Sequence, residues 1–141
     1  MRVIAFYTEL SKKLGRGHLI RTISLLNFFK GKNEKCVLFV EGDLDDFELD
    51  QTITLKKINW RSDYKNIDWK YHNDNFDILI FDSLLIKQNF VDKIQSSIIN
   101  KKVFIDDYQR NIYFDCYIID WTANAEKKYH IDNRKNNYMM L

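Results

Sequence analysis

A short stretch near the amino terminus combines residue types that could bind an anion and move a proton. Two of the four glycines in the chain, Gly15 and Gly17, flank Arg16. His18 follows directly, and Arg21 lies one helical turn further on. Glycine tolerates tight turns and close ligand approach, and the first N–H groups of a helix are open donors. Histidine exchanges a proton near neutral pH, its ordinary pKa being about 6.5. The stretch therefore predicts a site with a proton-transfer group, a fixed cation and backbone donors, although His18 could instead cap the start of the helix.

Carboxylates follow three of the predicted strands. Asp82, Asp106 and Asp120 each come directly after a run of apolar, strand-forming residues, and Asp107 follows Asp106. Ligands of open parallel sheets bind beyond the carboxyl ends of the strands, so we expect His18, Asp82 and Asp106 to lie near one another there, with apolar residues around them. An aspartate after a strand is also often a helix N-cap or a solvated loop residue, and this alternative is the stronger one for Asp120.

The elements that must position these residues can be inferred from hydrophobic periodicity. Apolar runs predict strands covered on both faces at 3–6, 36–40, 78–81, 103–105 and 117–119, and a peripheral strand at 52–58. Residues 9–14 are polar and predict a turn. Strands that alternate with helices predict an α/β fold, with an open parallel Rossmann-like sheet and helices on both faces. The whole of 1–141 is predicted to form this one domain.

Helical periodicity is found in three segments. Residues 19–29 predict a buried helix that ends near Gly31, and residues 62–75 predict a polar helix on which Trp69 packs. After Asp82, apolar residues recur every fourth position, namely Ile86, Phe90, Ile94 and Ile98. The acidic segment 43–50 predicts a short helix or a loop.

Composition excludes several classes of protein. The 141 residues are 45% hydrophobic and 15% aromatic, as expected of a folded globule. Lys and Arg number 22 against 20 Asp and Glu, and this net charge of +2 is spread along the chain, so we expect no nucleic-acid partner. No apolar run approaches the roughly 20 residues of a membrane helix, and the chain opens on a strand. We therefore expect a cytoplasmic protein without a membrane span.

Common cofactor and metal motifs are absent from the sequence. The glycines do not continue as GxGxxG, because Ile20 stands where the third glycine would be, and no GxxxxGK[ST] occurs. His72 and His130 are isolated, which predicts surface positions rather than metal ligands. Cys36 and Cys116 lie 80 positions apart, which predicts buried, reduced thiols. The sequence predicts neither a metal nor an organic cofactor.

The same residues resemble a known family. A strand, then Gly-x-Gly-His-x-x-Arg from Gly15 to Arg21, then a buried helix is similar to the amino-terminal domain of certain sugar nucleotide hydrolases. These enzymes release UDP from UDP-2,4-diacetamido-2,4,6-trideoxy-β-L-altropyranose in pseudaminic acid biosynthesis, and they have relatives in spore coat polysaccharide biosynthesis. They share the two-domain fold of GT-B glycosyltransferases.

The resemblance continues along the chain with some departures. The family has a strand ending in Asp followed by His or Ser, as at Asp82 and Ser83, and an "IDD…R…DC" segment that corresponds to Ile105-Asp106-Asp107, Arg110 and Asp115-Cys116. The family usually has Arg and Asp where this chain has Tyr7 and Glu9, and often an aromatic residue where it has Leu84.

The resemblance implies hydrolysis at the anomeric carbon of a UDP-activated amino sugar, without a metal or a cofactor. His18 would be catalytic and would activate or orient the attacking water. The residues implied to bind substrate are Gly15, Arg16, Gly17, Arg21, Asp82, Ser83, Asp106 and Asp107. Among them, Asp82, Asp106 or Asp107 would contact hydroxyl or amide groups of the sugar or fix the tautomer of His18.

In the family, a second α/β domain holds most of the contacts to the nucleotide. This chain stops at Tyr138-Met139-Met140-Leu141, about where the family crosses into that domain. We therefore expect the nucleotide-binding part to come from a separate domain or chain. Two alternatives remain: the acceptor-binding half of a split GT-B glycosyltransferase, and a non-catalytic remnant or binding module.

Overall fold

Strands and helices follow one another along most of the chain. The structure is a computed structural model, and it describes residues 1–11, 13, 15–44, 50–98, 100–107, 110–122 and 137–140. The elements in these ranges are β1 (Val3–Leu10), α1 (Gly17–Gly31), β2 (Lys35–Gly42), β3 (Thr54–Lys57), α2 (Trp69–Asn73), β4 (Ile78–Asp82), α3 (Gln88–Ser97), β5 (Lys101–Ile105), β6 (Tyr117–Asp120) and β7 (Asn137–Met140). His130, most of the acidic segment 43–50 and Leu141 lie outside the described residues.

The seven described strands form one open, parallel sheet in the order β3-β2-β1-β4-β5-β6-β7. The predicted α/β class with a Rossmann-like parallel sheet is thereby confirmed. Strands β2 and β3 follow β1 on one side of it in the sheet, and β4 and the later strands follow on the other side. The crevice between the carboxyl ends of β1 and β4 is thus the switch point of the sheet, where such folds bind ligands. The seventh strand was not predicted.

Helices cover both faces of the sheet because side chains alternate along each strand. On one face, Leu19 and Leu26 of α1 pack with a cluster that includes Ile4 and Phe6 of β1. On the other face, α2 and α3 pack with the cluster that contains Tyr7, the next residue along β1. A side chain at the carboxyl end of a strand therefore faces either α1 or α3 according to its position in this alternation.

Four aromatic rings form a row across the α3 face. Tyr7 stacks on Phe39 at 4.7 Å and on Phe81 at 4.8 Å between ring centroids, and Phe81 stacks on Phe104 at 5.0 Å. The rings come from β2, β1, β4 and β5, and each stacked pair is directly opposite in the strand register. Stacked aromatic pairs on neighbouring strands add to the energy of burial. This row fixes the relative positions of the strands that carry the candidate site.

Three local predictions differ from the structure. Residue Glu9 lies in β1 rather than in a turn, because its carboxylate accepts the N–H of Leu84 and faces Arg61, so it can be buried. The helix predicted over 62–75 is confined to Trp69–Asn73, where Asp68 caps its first turn and Trp69 is buried. Between β5 and β6 the described residues form turns and no helix, so the alternation of strands and helices is broken there.

The two cysteines are free thiols, Cys116 buried and Cys36 only partly so. Burial raises the pKa of Cys116 to about 12. Within the described ranges, no helix combines the length and the apolar character needed to cross a bilayer.

Candidate functional site

His18 and Asp82 meet at the switch point of the sheet. His18 is the second residue of α1, and Asp82 is the last residue of β4, beside the end of β1. The imidazole Nδ1 lies 2.7 Å from Asp82 Oδ1. The fold therefore brings together a histidine and an aspartate that are 64 positions apart in sequence.

Arg21 holds the same carboxylate from a second direction. Its Nε donates to Asp82 Oδ2 at 2.8 Å and its Nη2 donates to Asp82 Oδ1 at 2.6 Å, a bidentate pair. Its Nη1 donates to Asp107 Oδ2 at 2.8 Å, and Thr22 Oγ1 donates to Asp82 Oδ2 at 3.3 Å. All three guanidinium nitrogens are engaged, so Arg21 acts here as a clamp on two carboxylates.

Two groups lie near Nδ1 of His18, Asp82 Oδ1 at 2.7 Å and Arg21 Nη2 at 3.3 Å, and the shorter contact defines which ring nitrogen carries the proton. An ionised carboxylate can only accept hydrogen bonds, so the 2.7 Å contact requires Nδ1–H to be the donor to Asp82. In the neutral ring, Nε2 then keeps its lone pair, and none of the described residues bonds to it. The side chain of His18 is 17% exposed. Its outer nitrogen is thus prepared to take a proton from a water or a hydroxyl group.

The alternative role of His18 as a capping residue does not match this geometry. The N-cap of α1 is Arg16, which makes no side-chain capping bond. The imidazole bonds to the carboxylate of Asp82 rather than to an N–H group of the helix.

One guanidinium and two carboxylates lie together beside His18. Burial alone would raise the pKa of Asp82, but the hydrogen bonds and charges of Arg21 and His18 outweigh it, and the pKa is lowered. Burial opposes the charge of Arg21, but Asp82 and Asp107 outweigh it and raise its pKa. One guanidinium against two carboxylates gives these three side chains a formal charge of −1.

Replacing Asp82 by asparagine should destabilise the chain by roughly 3 kcal/mol near pH 7, because it removes the buried carboxylate that holds the partly buried guanidinium of Arg21. The lowered pKa of Asp82 means that its contribution is complete above its unfolded value of about 3.9 and is lost as pH falls further. Urea titrations between pH 3 and 7 should therefore show a gap between wild type and variant that is constant above pH 5 and narrows below pH 4. The exposed Asp92→Asn serves as a control with no such gap. Parallel curves for wild type and Asp82→Asn over the whole range would contradict this role.

Asp106 does not join this group, contrary to expectation. Ile105 pairs with Asp82 and packs on the α1 side, so the next residue, Asp106, points to the α3 side. There its carboxylate is fully buried and accepts bonds from Tyr113 Oη at 2.8 Å and Arg110 Nε at 2.8 Å. Two residues after Ile105, Asp107 returns to the side of α1 and reaches Arg21.

The other predicted binding residues surround the start of α1 and the end of β4. Gly15 has a φ of +74° and donates its N–H to Ser11 O at 3.0 Å. A Cβ atom at Gly15 or Gly17 would meet nothing within 4 Å, so the backbone there is open to a ligand. Arg16 is exposed beside them. Ser83, in contrast, is buried, and its Oγ accepts the N–H of Leu85.

Exposed apolar side chains border the same edge of the sheet. Leu84 and Leu85, which follow β4, are 45% and 38% exposed, and Trp121, which follows β6, is 43% exposed. Asp120 itself is buried and accepts the N–H and the hydroxyl of Thr122, so it stabilises a turn.

The sequence did not predict the ion pairs of Arg61, which lie on the other side of the switch point. Arg61 lies between Glu9 and Glu41, with its Nε 3.0 Å from Glu9 Oε2 and its Nη2 3.0 Å from Glu41 Oε1. No spacing rule links Arg61 to residues at the ends of β1 and β2. A cavity of about 210 Å³ opens beside it, lined by Arg61, Tyr64, Leu85, Lys87, Asn89 and Phe90. This lining does not include the residues around His18.

His72 is not the surface residue that the sequence predicted. Its ring is half-buried against Phe39 at 5.1 Å and Trp69 at 6.0 Å between centroids. Burial and the nearby charge of Lys56 lower its pKa. Its Nε2 is buried and has no hydrogen-bond partner among the described residues. His72 therefore belongs to the packing beneath α2 rather than to the site.

Comparisons of the chain with models of known protein families, with curated proteins and with solved structures found no significant match.

Proposed function

We propose that this chain forms the catalytic, sugar-binding half of an enzyme that hydrolyses a UDP-activated diacetamido-trideoxy sugar and releases UDP. The observation that carries the proposal is the 2.7 Å contact of His18 Nδ1 with Asp82, which leaves Nε2 available as a base at the switch point. Support for this particular substrate comes from the resemblance of the Gly-x-Gly-His-x-x-Arg stretch and the later aspartate segments to the hydrolase family. The corresponding process would be the biosynthesis of pseudaminic acid or of a surface polysaccharide.

In the proposed reaction, a water oxygen forms a bond to the anomeric carbon while the bond from that carbon to the diphosphate oxygen breaks. The proton of the water passes to Nε2 of His18, and UDP leaves with the electron pair of the broken bond. Asp82 keeps the imidazole in the required tautomer and stabilises the imidazolium that forms, as a carboxylate does in a catalytic triad. His18 is the catalytic residue, and Asp82 positions it.

Arg21 has a different role in this proposal from the direct contact with substrate that the resemblance implies. Since Asp82 and Asp107 engage its guanidinium, Arg21 holds Asp82 against His18. The leaving diphosphate would instead approach the start of α1. There the open backbone of Gly15 and Gly17 and the positive end of the helix favour an anion.

The nucleotide would be bound mainly by a second unit, on the same chain or on another one. The exposed Leu84, Leu85 and Trp121 at the carboxyl edge are suited to contact with such a unit. In this arrangement the 141 residues supply the base and the sugar site, and the second unit supplies the affinity for UDP.

The experiment is calorimetry with UDP together with an assay of UDP release from the diacetamido sugar nucleotide. The 141-residue chain alone should bind UDP only at roughly millimolar Kd, about −4 kcal/mol, and should show no efficient turnover. Positioning by remote contacts can account for about 7 kcal/mol or more of a rate enhancement, and those contacts lie in the second unit.

Micromolar binding of UDP with sustained turnover by the monomeric chain would overturn the proposal that this is a half-enzyme. Transfer of the sugar to an acceptor instead of water, once a second unit is added, would identify a split glycosyltransferase. If no completed assembly catalyses either hydrolysis or sugar transfer, the chain would be identified as a binding module.

A further inference from the structure

We infer that Arg110 is a positioning residue for the His18–Asp82 pair, because it ties together the two loops that carry Asp82 and Asp107. The inference rests on the proposed function only for the role of His18 as a base. Its test needs no turnover, so the inference can fail while the proposed hydrolysis stands.

The contacts of Arg110 span both loops. Its Nε donates to Asp106 Oδ1 at 2.8 Å and to the backbone oxygen of Asp107 at 3.1 Å. Its Nη1 donates to the backbone oxygen of Ser83 at 3.2 Å and to that of Leu84. One side chain thus joins the loop after β4 to the loop after β5.

Arg110 is anchored by a buried carboxylate. Asp106 is fully buried and also accepts Tyr113 Oη at 2.8 Å and the N–H of Asn111 at 3.2 Å. These bonds fix the carboxylate from the α3 side of the sheet, so the guanidinium has a rigid support. Asp106, which does not reach His18 itself, would act on the site through Arg110.

The position of the two loops decides whether Arg21 can bind both of its carboxylates. Asp82 directly precedes Ser83, and Asp107 is held through its own backbone oxygen. Arg21 reaches Asp82 and Asp107 at 2.6 to 2.8 Å only while these loops keep their separation. A lysine in place of Arg110 keeps the charge but cannot reproduce the planar fork that reaches several acceptors at once.

The test uses the ¹⁵N-labelled chain and follows the Nδ1 proton of His18, which is protected while it is bonded to Asp82. In Arg110→Lys this proton should exchange with water at least about tenfold faster, while the amide spectrum of the sheet is retained. Arg2→Lys is the matched control, because the exposed Arg2 pairs with Glu34 just before β1 and β2, at the amino ends of the strands and so away from the site. An unchanged exchange rate in a folded Arg110→Lys would overturn the inference.

If the variant does not fold, a second measurement on the wild-type chain tests whether Arg110 positions the His18–Asp82 pair. At low urea, the Nε proton of Arg110 and the Nδ1 proton of His18 should become exchangeable in the same opening step. An Arg110 proton that exchanges freely while that of His18 stays protected would show that Arg110 does not hold the site, and the inference would be overturned.

Discussion

Replacing His18 by asparagine is expected to reduce turnover by at least about 10²-fold in the proposed assembly, if that assembly hydrolyses the sugar nucleotide. This is the lower range for the loss of a positioned acid or base, and asparagine cannot accept the proton of the attacking water. The unfolding free energy should fall by well under about 2 kcal/mol, because Arg21 and Thr22 continue to bond Asp82. UDP release and urea unfolding measure the two effects separately.

His72→Asn is the matched control, since His72 lies in the packing under α2 and outside the site. We expect that variant to lose stability and to keep its turnover when folded, the reverse of His18→Asn. Near-normal turnover in His18→Asn would remove His18 from the catalytic role.

Replacing Gly42 by alanine is expected to cost at least about 3 kcal/mol of stability. Gly42 has a φ of +120°, and a Cβ atom there would lie 1.8 Å from the backbone oxygen of Leu10. Leu10 and Gly42 are opposite each other at the carboxyl ends of β1 and β2, so relief of the clash must separate the two strands. The separation would occur beside Glu41 and Arg61, which support the edge that carries the site.

Gly31→Ala is the control for Gly42→Ala. A Cβ atom at Gly31, the last residue of α1, would meet nothing within 4 Å. This variant should be as stable as wild type or slightly more so, because alanine lowers the entropy of the unfolded chain. Thermal or urea unfolding of both variants is sufficient, and equal stabilities would contradict the role assigned to Gly42.

Periodicity predicted the fold well because burial on both faces of a parallel sheet leaves a clear pattern. Continuous apolar runs in β1, β2, β4, β5 and β6 can be covered only if helices pack on both faces, and the connecting helices supply that cover. The pattern did not predict that β1 extends to Leu10. Glu9 is polar, and the partner that makes its burial possible, Arg61, is 52 positions away in sequence.

The candidate site was predictable only in part for a related reason. The glycine pair and His18 form a local signal, and an aspartate at the end of a strand indicates the right edge of the sheet. The choice between Asp106 and Asp107 depends on which face each one points to. That depends on the register of β4 against β5, in which Asp82 pairs with Ile105. Sequence alone does not contain this register, and for that reason the expectation that Asp106 would lie beside His18 and Asp82 failed. The bridge formed by Arg110 depends on the same register.

The ¹⁵N spectrum of the His18 imidazole in the 141-residue chain tests most directly whether His18 can act as the base. In the neutral ring, we expect the proton on Nδ1, bonded to Asp82, and an unprotonated Nε2 that bonds to none of the described residues. The opposite tautomer, with the proton on Nε2 and a bare Nδ1, would leave the outer nitrogen unable to accept a proton from water. That result would contradict the proposed role of the His18–Asp82 pair.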